Sequence, residues 1–181
     1  MKILTLGHPL LLQKSLPVNK EEVKKIENIV KSMFAVLEKK NGLGLAAPQV
    51  GVLKRIFIVN LKNSDDKVEK IVCINPEIVS ESLKRSVSEE GCLSIPGIYG
   101  PVERAISVKL KFFDLSWNEH EIKAENLFAR VIQHEYDHLE GKLFIHRMSP
   151  VYLKELNERL ENLEKETQKL LDKNINRNKK K

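Results

Sequence analysis

Residues 133–138 read QHEYDH. Two of the chain's five histidines stand four apart there, with a glutamate directly after the first. They fall in a stretch from Glu125 to about Glu140 whose apolar positions recur at helical spacing. Leu127, Val131, His134, Glu135 and His138 occupy i, i+4, i+7, i+8 and i+11, so the histidines continue an apolar stripe and face inward. Buried imidazoles need partners, and any fold for this chain has to supply them. Two imidazoles at i and i+4 point the same way and can bind one metal ion. Glu135 lies about 100° round the helix from His134. It is therefore free to hold a water rather than the ion, as in the HExxH pattern. The plainer alternative is a pair of core histidines whose hydrogen bonds are met internally.

The surrounding sequence predicts the scaffold. Asn19 and Glu22 form a capping-box pattern, and Val23, Ile26, Ile29, Val30, Met33 and Leu37 follow at helical spacing. Asn41-Gly42 ends that helix. GLGLAAPQVG, residues 42–51, is rich in small residues and not periodic, which predicts a loop that something approaches closely. RIFIVNL and KIVCINPEIV are β-branched and apolar and predict strands, with NSDDK as the turn between them. AISVKLKFF alternates, with Ile106, Val108, Leu110 and Phe112 on one face and Ser107, Lys109 and Lys111 on the other. That pattern is a half-buried antiparallel strand, and HEIKAE is its expected partner. Gly141 stops the histidine helix. A last helix is expected from Ser149-Pro150, with Leu153, Leu156, Leu160, Leu163 and Leu170 on one face. Strands first and the motif helix late give an α+β fold class.

A catalytic metal site needs a third protein ligand and one open position. The pattern HExxHxxGxxH finds its glycine at Gly141 but Phe144 where a histidine should stand, and His146 comes two places too late. Glu155, Glu158 and Glu161 lie further on, where they read as the solvated face of the last helix. The chain has two cysteines. Cys73 sits mid-strand and reads as a small buried hydrophobe. Cys92, in EEGCLSIPG, is as readily a ligand as a core filler.

Three stretches, GLGLAAPQVG, EGCLS and QHEYDHLEG, stand in an order and spacing that closely resemble the peptide deformylases. The likeness runs from LGHPLL to LFIHRMSP. The resemblance implies antiparallel sheets packed around a central metal-binding helix, flanked by an N-terminal and a C-terminal helix. It implies Cys92, His134 and His138 as metal ligands and Glu135 as general acid/base. Gln49 and the Leu93 N–H would then stabilise an oxyanion. Gly44 is implied in the substrate-binding segment, and Leu43, Leu127 and Val131 are expected beside it. Glu90 and Asp137 are expected to hold Gln49 or a ligand in place from behind. The implied metal is Fe²⁺, with Zn²⁺ or Ni²⁺ able to substitute. The implied substrate is the N-formyl group on the initiator methionine of a nascent polypeptide, with formate as product.

Residue chemistry agrees with these roles. A metal brings its water's pKa towards neutrality, so hydroxide is available to attack the formyl carbon. Glu135 can take that proton and pass it to the leaving amine, and Gln49 offers an amide donor to the oxyanion. On residues alone, Gln49 reads first as a loop glutamine satisfying backbone groups. Arg130 stands one position before Val131, and Tyr99, in PGIYGP, is a rim candidate.

Charge enters at the end of the chain. Net charge is +6, and KNINRNKKK carries five of the positive charges and no acid, which leaves about +1 for the rest. The expectation is one catalytic domain over residues 1–173 and a disordered basic tail over 174–181, placed to touch ribosomal RNA. No stretch reaches the roughly 20 apolar residues of a membrane span. A cytoplasmic monomer with reduced thiols and no transit peptide is expected. Two other readings stay open. A zinc endopeptidase requires a third ligand after residue 138 and has no need of Cys92. A non-catalytic, metal-stabilised module that binds the ribosome requires four protein ligands.

Overall fold

The computed structural model describes residues 1–62 and 68–178. The expected NSDDK turn and the last three residues of the expected tail lie outside them.

Helix α1 spans Val23–Lys39. The Glu22 carboxylate accepts the Asn19 N–H at 2.9 Å just ahead of it, and Asn41 ends it in the left-handed region (φ 51). Strands β1 (Gly44–Ala46), β2 (Ile56–Lys62) and β3 (Val68–Glu81) follow. After them come β4 (Arg85–Cys92), β5 (Ile95–Ala105), β6 (Ser107–Phe113) and β7 (Glu119–Glu125). Then helix α2 spans Asn126–Leu139 and helix α3 Pro150–Asn178. Five strands form one antiparallel sheet in the order β1-β2-β3-β6-β7, and β4 and β5 form a separate hairpin. The fold is α+β.

Strand β2 shows why α2 is central. Ile56, Phe57, Ile58 and Val59 are all fully buried, an unbroken apolar run because both faces of the sheet are covered. Ile56 and Ile58 pack with Ile26, Val30, Met33 and Leu37 of α1. Phe57 and Val59 pack on the other side with Ala129, Val131 and Ile132 of α2. A third cluster joins the chain start, the hairpin and α3 through Leu6, Leu11, Ile95, Val102, Phe144 and Leu160. Strand β6 alternates as its sequence predicts, with Val108, Leu110 and Phe112 buried.

The structure departs from expectation in three places. Residues 42–51 are not a single loop: Gly44, Leu45 and Ala46 pair with Val59, Ile58 and Phe57 as an edge strand, and Ala47–Val50 form a 3-10 turn. Main-chain pairing needs no side-chain pattern, so glycines and alanines hid it. The β4–β5 hairpin was not expected at all. Finally, α3 continues to Asn178, so residues 174–178 of the expected tail are helical. On its apolar face Leu153, Leu156, Leu160 and Leu163 pack in that third cluster, while Leu170 is 48% exposed, so the stripe stops packing before its last leucine.

Candidate active site

Each element delivers its side chain for a local reason. Helix α2 carries His134 and His138 one turn apart, their ring centroids separated by 5.1 Å. Cys92 ends β4, immediately before the Leu93–Ser94 turn of the hairpin. The hairpin lies so that the ligand atoms of Cys92, His134 and His138 are all within 4.8 Å of one another, and Cys92 Sγ is 3.3 Å from His138 Nε2. A thiolate with two imidazoles is a donor set for a borderline-to-soft divalent ion. Three protein ligands would leave a position open, as catalytic sites do. Among the described residues no other side chain joins the group. His146 turns elsewhere, its Nδ1 accepting the Leu143 N–H at 3.0 Å. Glu161 on α3 pairs with Lys165 in solvent. Cys73 is buried in the sheet core, as expected.

Cys92 and His134 line a cavity of about 870 Å³, with His138 packed behind them. Leu43, Gly44, Gln49, Leu93, Tyr99, Leu127, Val131 and Glu135 also line it. Tyr99 is a rim residue, 58% exposed. Its ring lies over Gly91, where a Cβ would come within 2.5 Å of it.

Glu135 is buried, and its Oε2 has no partner among the described residues. Burial pushes its carboxyl up to about 7, with the Glu90 charge adding and the His134 and Arg104 charges opposing. Gly44 stands directly against it: a Cβ there would lie 2.8 Å from Glu135 Cδ and Cγ. Gln49 is fixed from both ends. Its Oε1 accepts the Ala46 N–H at 2.8 Å, and its Nε2 donates to Cys92 Sγ (3.3 Å) and Ser94 Oγ (3.2 Å). Its amide N–H₂ therefore sits at the ligand corner of the cavity.

Behind the ligands lies a buried ionic cluster. His134 Nδ1–H donates to Glu90 Oε2 at 3.0 Å, which leaves Nε2 to face the other ligands. Glu90 also accepts Arg104 Nε and Nη2, each at 3.0 Å, and Arg130 Nη1 at 2.7 Å. Burial raises the Glu90 carboxyl, but the bonds from His134 and Arg104 outweigh it and bring it down to about 2. Burial likewise pulls the His134 imidazole down, and its bonds to Cys92 and Glu90 carry it well above its usual value. His138 goes the other way, lowered by burial and by the His134 and Arg104 charges. Its Nδ1 is buried with no partner among the described residues.

Glu90 thus bonds to His134. Asp137 touches neither a ligand nor Gln49; it accepts from Arg104 Nη1 and from Arg147 Nε and Nη2. Arg130 lines the cavity, with its guanidinium taken by Glu90, the Val102 carbonyl and Ser86. Sequence reasoning missed Arg104, Arg147 and Ser94. Nothing in VERAIS marks an arginine that will be 3% exposed.

Comparison with known proteins points one way. A family model described as Polypeptide deformylase matches residues 1–154. Peptide deformylase 1 of Clostridium perfringens is 50% identical over 67% of this chain and 80% of its own. The chloroplastic/mitochondrial peptide deformylase 1B of Arabidopsis thaliana is 40% identical over 91% of this chain and 60% of its own. A crystal structure of that Arabidopsis protein with an inhibitor superposes with TM-score 0.86 at 40% identity, covering 93% of each chain. A Met-Ala-Ser-bound peptide deformylase from Acinetobacter baumannii gives TM-score 0.77 at 35% identity over 82% of this chain and 98% of its own. The chain belongs to the polypeptide deformylase family, metal-dependent hydrolases that remove the formyl group from nascent peptides.

Proposed function

We propose that Cys92, His134 and His138 hold one divalent ion, Fe²⁺ in the cell with Zn²⁺ or Ni²⁺ able to substitute, and that the cavity beside them takes an N-formylmethionyl peptide. The observation that carries this is the convergence of three ligand atoms within 4.8 Å, two of whose residues, Cys92 and His134, line the cavity with Glu135. When bound, the ion supplies a Lewis acid and lowers the pKa of a water towards neutrality.

The chain's own residues do the rest. Glu135, with its carboxyl raised to about 7, takes the proton of the attacking water at neutral pH and hands it to the leaving nitrogen. Attack on the formyl carbon places negative charge on the formyl oxygen. The Gln49 amide N–H₂, anchored through its Oε1 to the Ala46 N–H, and the Leu93 N–H donate to that oxygen, Gln49 turning one N–H from Cys92 or Ser94 to do so. Collapse breaks the C–N bond and releases formate and a free α-amine. Leu127 and Val131 of α2 and Leu43 and Gly44 of the β1 edge receive the methionine and the backbone after it.

Residues 1–173 act as a single catalytic domain and as a monomer in the cytoplasm. No helix among the described residues is long and apolar enough to cross a membrane. The basic end of the chain docks on ribosomal RNA, where formylated chains emerge. The deciding experiment is formate release from formyl-Met-Ala-Ser, with and without a chelator and after return of Fe²⁺, Zn²⁺ or Ni²⁺. Release that survives complete metal removal, or no release with any of the ions, overturns the assignment.

A further inference from the structure

The buried cluster behind His134 is not closed. It runs outward, through Glu90, Arg104 and Asp137, to an arginine in solvent. Side chains of Glu90, Arg104 and Asp137 are 5%, 3% and 5% exposed, whereas Arg147 is 45% exposed. The path depends on one guanidinium being shared. Arg104 gives Nε and Nη2 to Glu90, each at 3.0 Å, and Nη1 to Asp137. Two buried carboxylates therefore share this guanidinium, Glu90 holding Arg130 Nη1 as well at 2.7 Å.

Arg147 gives Asp137 a second cation. It clamps Asp137 from the opposite side, Nη2 to Oδ1 at 2.6 Å and Nε to Oδ2 at 3.1 Å, the bidentate geometry in which arginine binds carboxylate most strongly. It reaches Asp137 because Gly141 reverses the chain after α2. Gly141 has φ +68, and a Cβ there would lie 2.5 Å from the Leu12 carbonyl oxygen, so glycine alone fits. The Phe144–Arg147 turn then folds back along the last turn of the helix.

We propose that Arg104 and Arg147 are positioning residues: acting through Glu90, they set how firmly His134 is held as a metal ligand, and Arg147 is the solvent-facing end of that control. Without Arg147, Asp137 becomes a buried carboxylate with one partner. It draws the Arg104 guanidinium towards itself and away from Glu90, and the Glu90–His134 bond loosens. The proposal rests on His134 being a ligand.

The test is the rate at which the metal-loaded full-length protein gives up its ion to a chelator, with the Tm of the metal-free form measured beside it. Changes in the partner of a ligating histidine typically cost about 10–100-fold in metal affinity. Arg104→Lys, which keeps the charge but loses the shared fork, is expected to release the ion about tenfold faster or more. Arg147→Met, two residues further out along the path, is expected to release it roughly two- to tenfold faster with the metal-free Tm lowered less than in Arg104→Lys. In an Asp137→Asn background, Arg147→Met is expected to add nothing, since its path is already cut. Unchanged release in Arg147→Met, or the same acceleration in both backgrounds, overturns the proposal. If Arg104→Lys does not fold, the Arg147 and Asp137 comparison still decides. His134→Ala separates the positioning role from the ligand assignment: if it keeps the ion, the ligand assignment itself is wrong.

Discussion

Replacing Gly44 with alanine is expected to damage catalysis while sparing the fold. Its backbone is ordinary strand, with φ outside the left-handed region. Alanine there is intrinsically better than glycine by roughly 0.5–1 kcal/mol. The added Cβ would, however, lie 2.8 Å from Glu135 Cδ and Cγ, whereas carbon atoms pack at about 3.5–4.0 Å. The carboxyl must therefore retreat by about 0.7–1 Å. Because it is the far end of a flexible side chain, the retreat costs about 0.5–1.5 kcal/mol as an off-rotamer distortion, and the gain from alanine offsets much of that. The group that moves is the one assigned to handle the proton, and a misplacement of 1 Å can cost about 10²-fold. The expected result is kcat on formyl-Met-Ala-Ser lower by about 10²-fold, near 2.7 kcal/mol in activation energy. Metal content stays near one per chain, and Tm changes by only a few degrees. Parallel kinetics, metal analysis and thermal unfolding check all three. A kcat within threefold of wild type would falsify the claim that Glu135 works from the position described. So would a loss of activity explained by a loss of metal.

Three further outcomes are expected. Glu135→Gln lowers kcat by about 10²–10⁴-fold with metal content unchanged; retained turnover removes Glu135 from its role. Cys92→Ala loses the ion and peroxide inactivates the wild type, because an oxidised sulfur no longer ligates. Cys73→Ala, altering a sulfur buried in the sheet core, keeps the ion; equal metal content in the two variants would reverse the choice of cysteine. Cutting the chain after Asp172 leaves turnover of a short formyl-Met peptide unchanged. The same cut weakens ribosome binding and flattens its salt dependence, by up to about 0.7–0.9 log units per log[salt] for each phosphate that the tail had neutralised. Equal ribosome binding at low salt would leave the basic end a solvated terminus.

What the sequence reveals and what it hides divide along physical lines. Helix α2 was legible because its buried stripe has a period that histidines continue, and β6 because one face is wet and the other dry. Strand β4 was not: Arg85, Ser86, Val87, Ser88 and Glu89 are all exposed, so no alternation records the pairing. Its partner β5 carries Pro96, Gly97, Gly100 and Pro101, which punctuate like a loop although the chain runs extended. The basic end misled in the opposite sense. Its composition promised no packing, but a helix already nucleated upstream extends at little cost per residue, and α3 runs on to Asn178. In the site, ligand spacing within α2 is local and was visible. The sharing of Arg104 between Glu90 and Asp137 joins positions 14 and 33 residues away, and no local pattern encodes it.

The ligands also belong to different cores. Cys92 packs with the cluster that joins the hairpin to α3, while α2 packs on the sheet through Val131 and Ile132. Cys92 and His138 are 46 residues apart in the chain. An ion held by both can be held only by the folded protein, which makes it a stabiliser by mass action as well as a reagent. At a thousandfold excess over its Kd, such an ion contributes about 4 kcal/mol. That is a large share of the roughly 5–15 kcal/mol by which domains are stable. Scarcity of the ion would then act twice, leaving each molecule inactive and leaving more of them open to proteolysis, so that the amount of enzyme in a cell follows its metal supply.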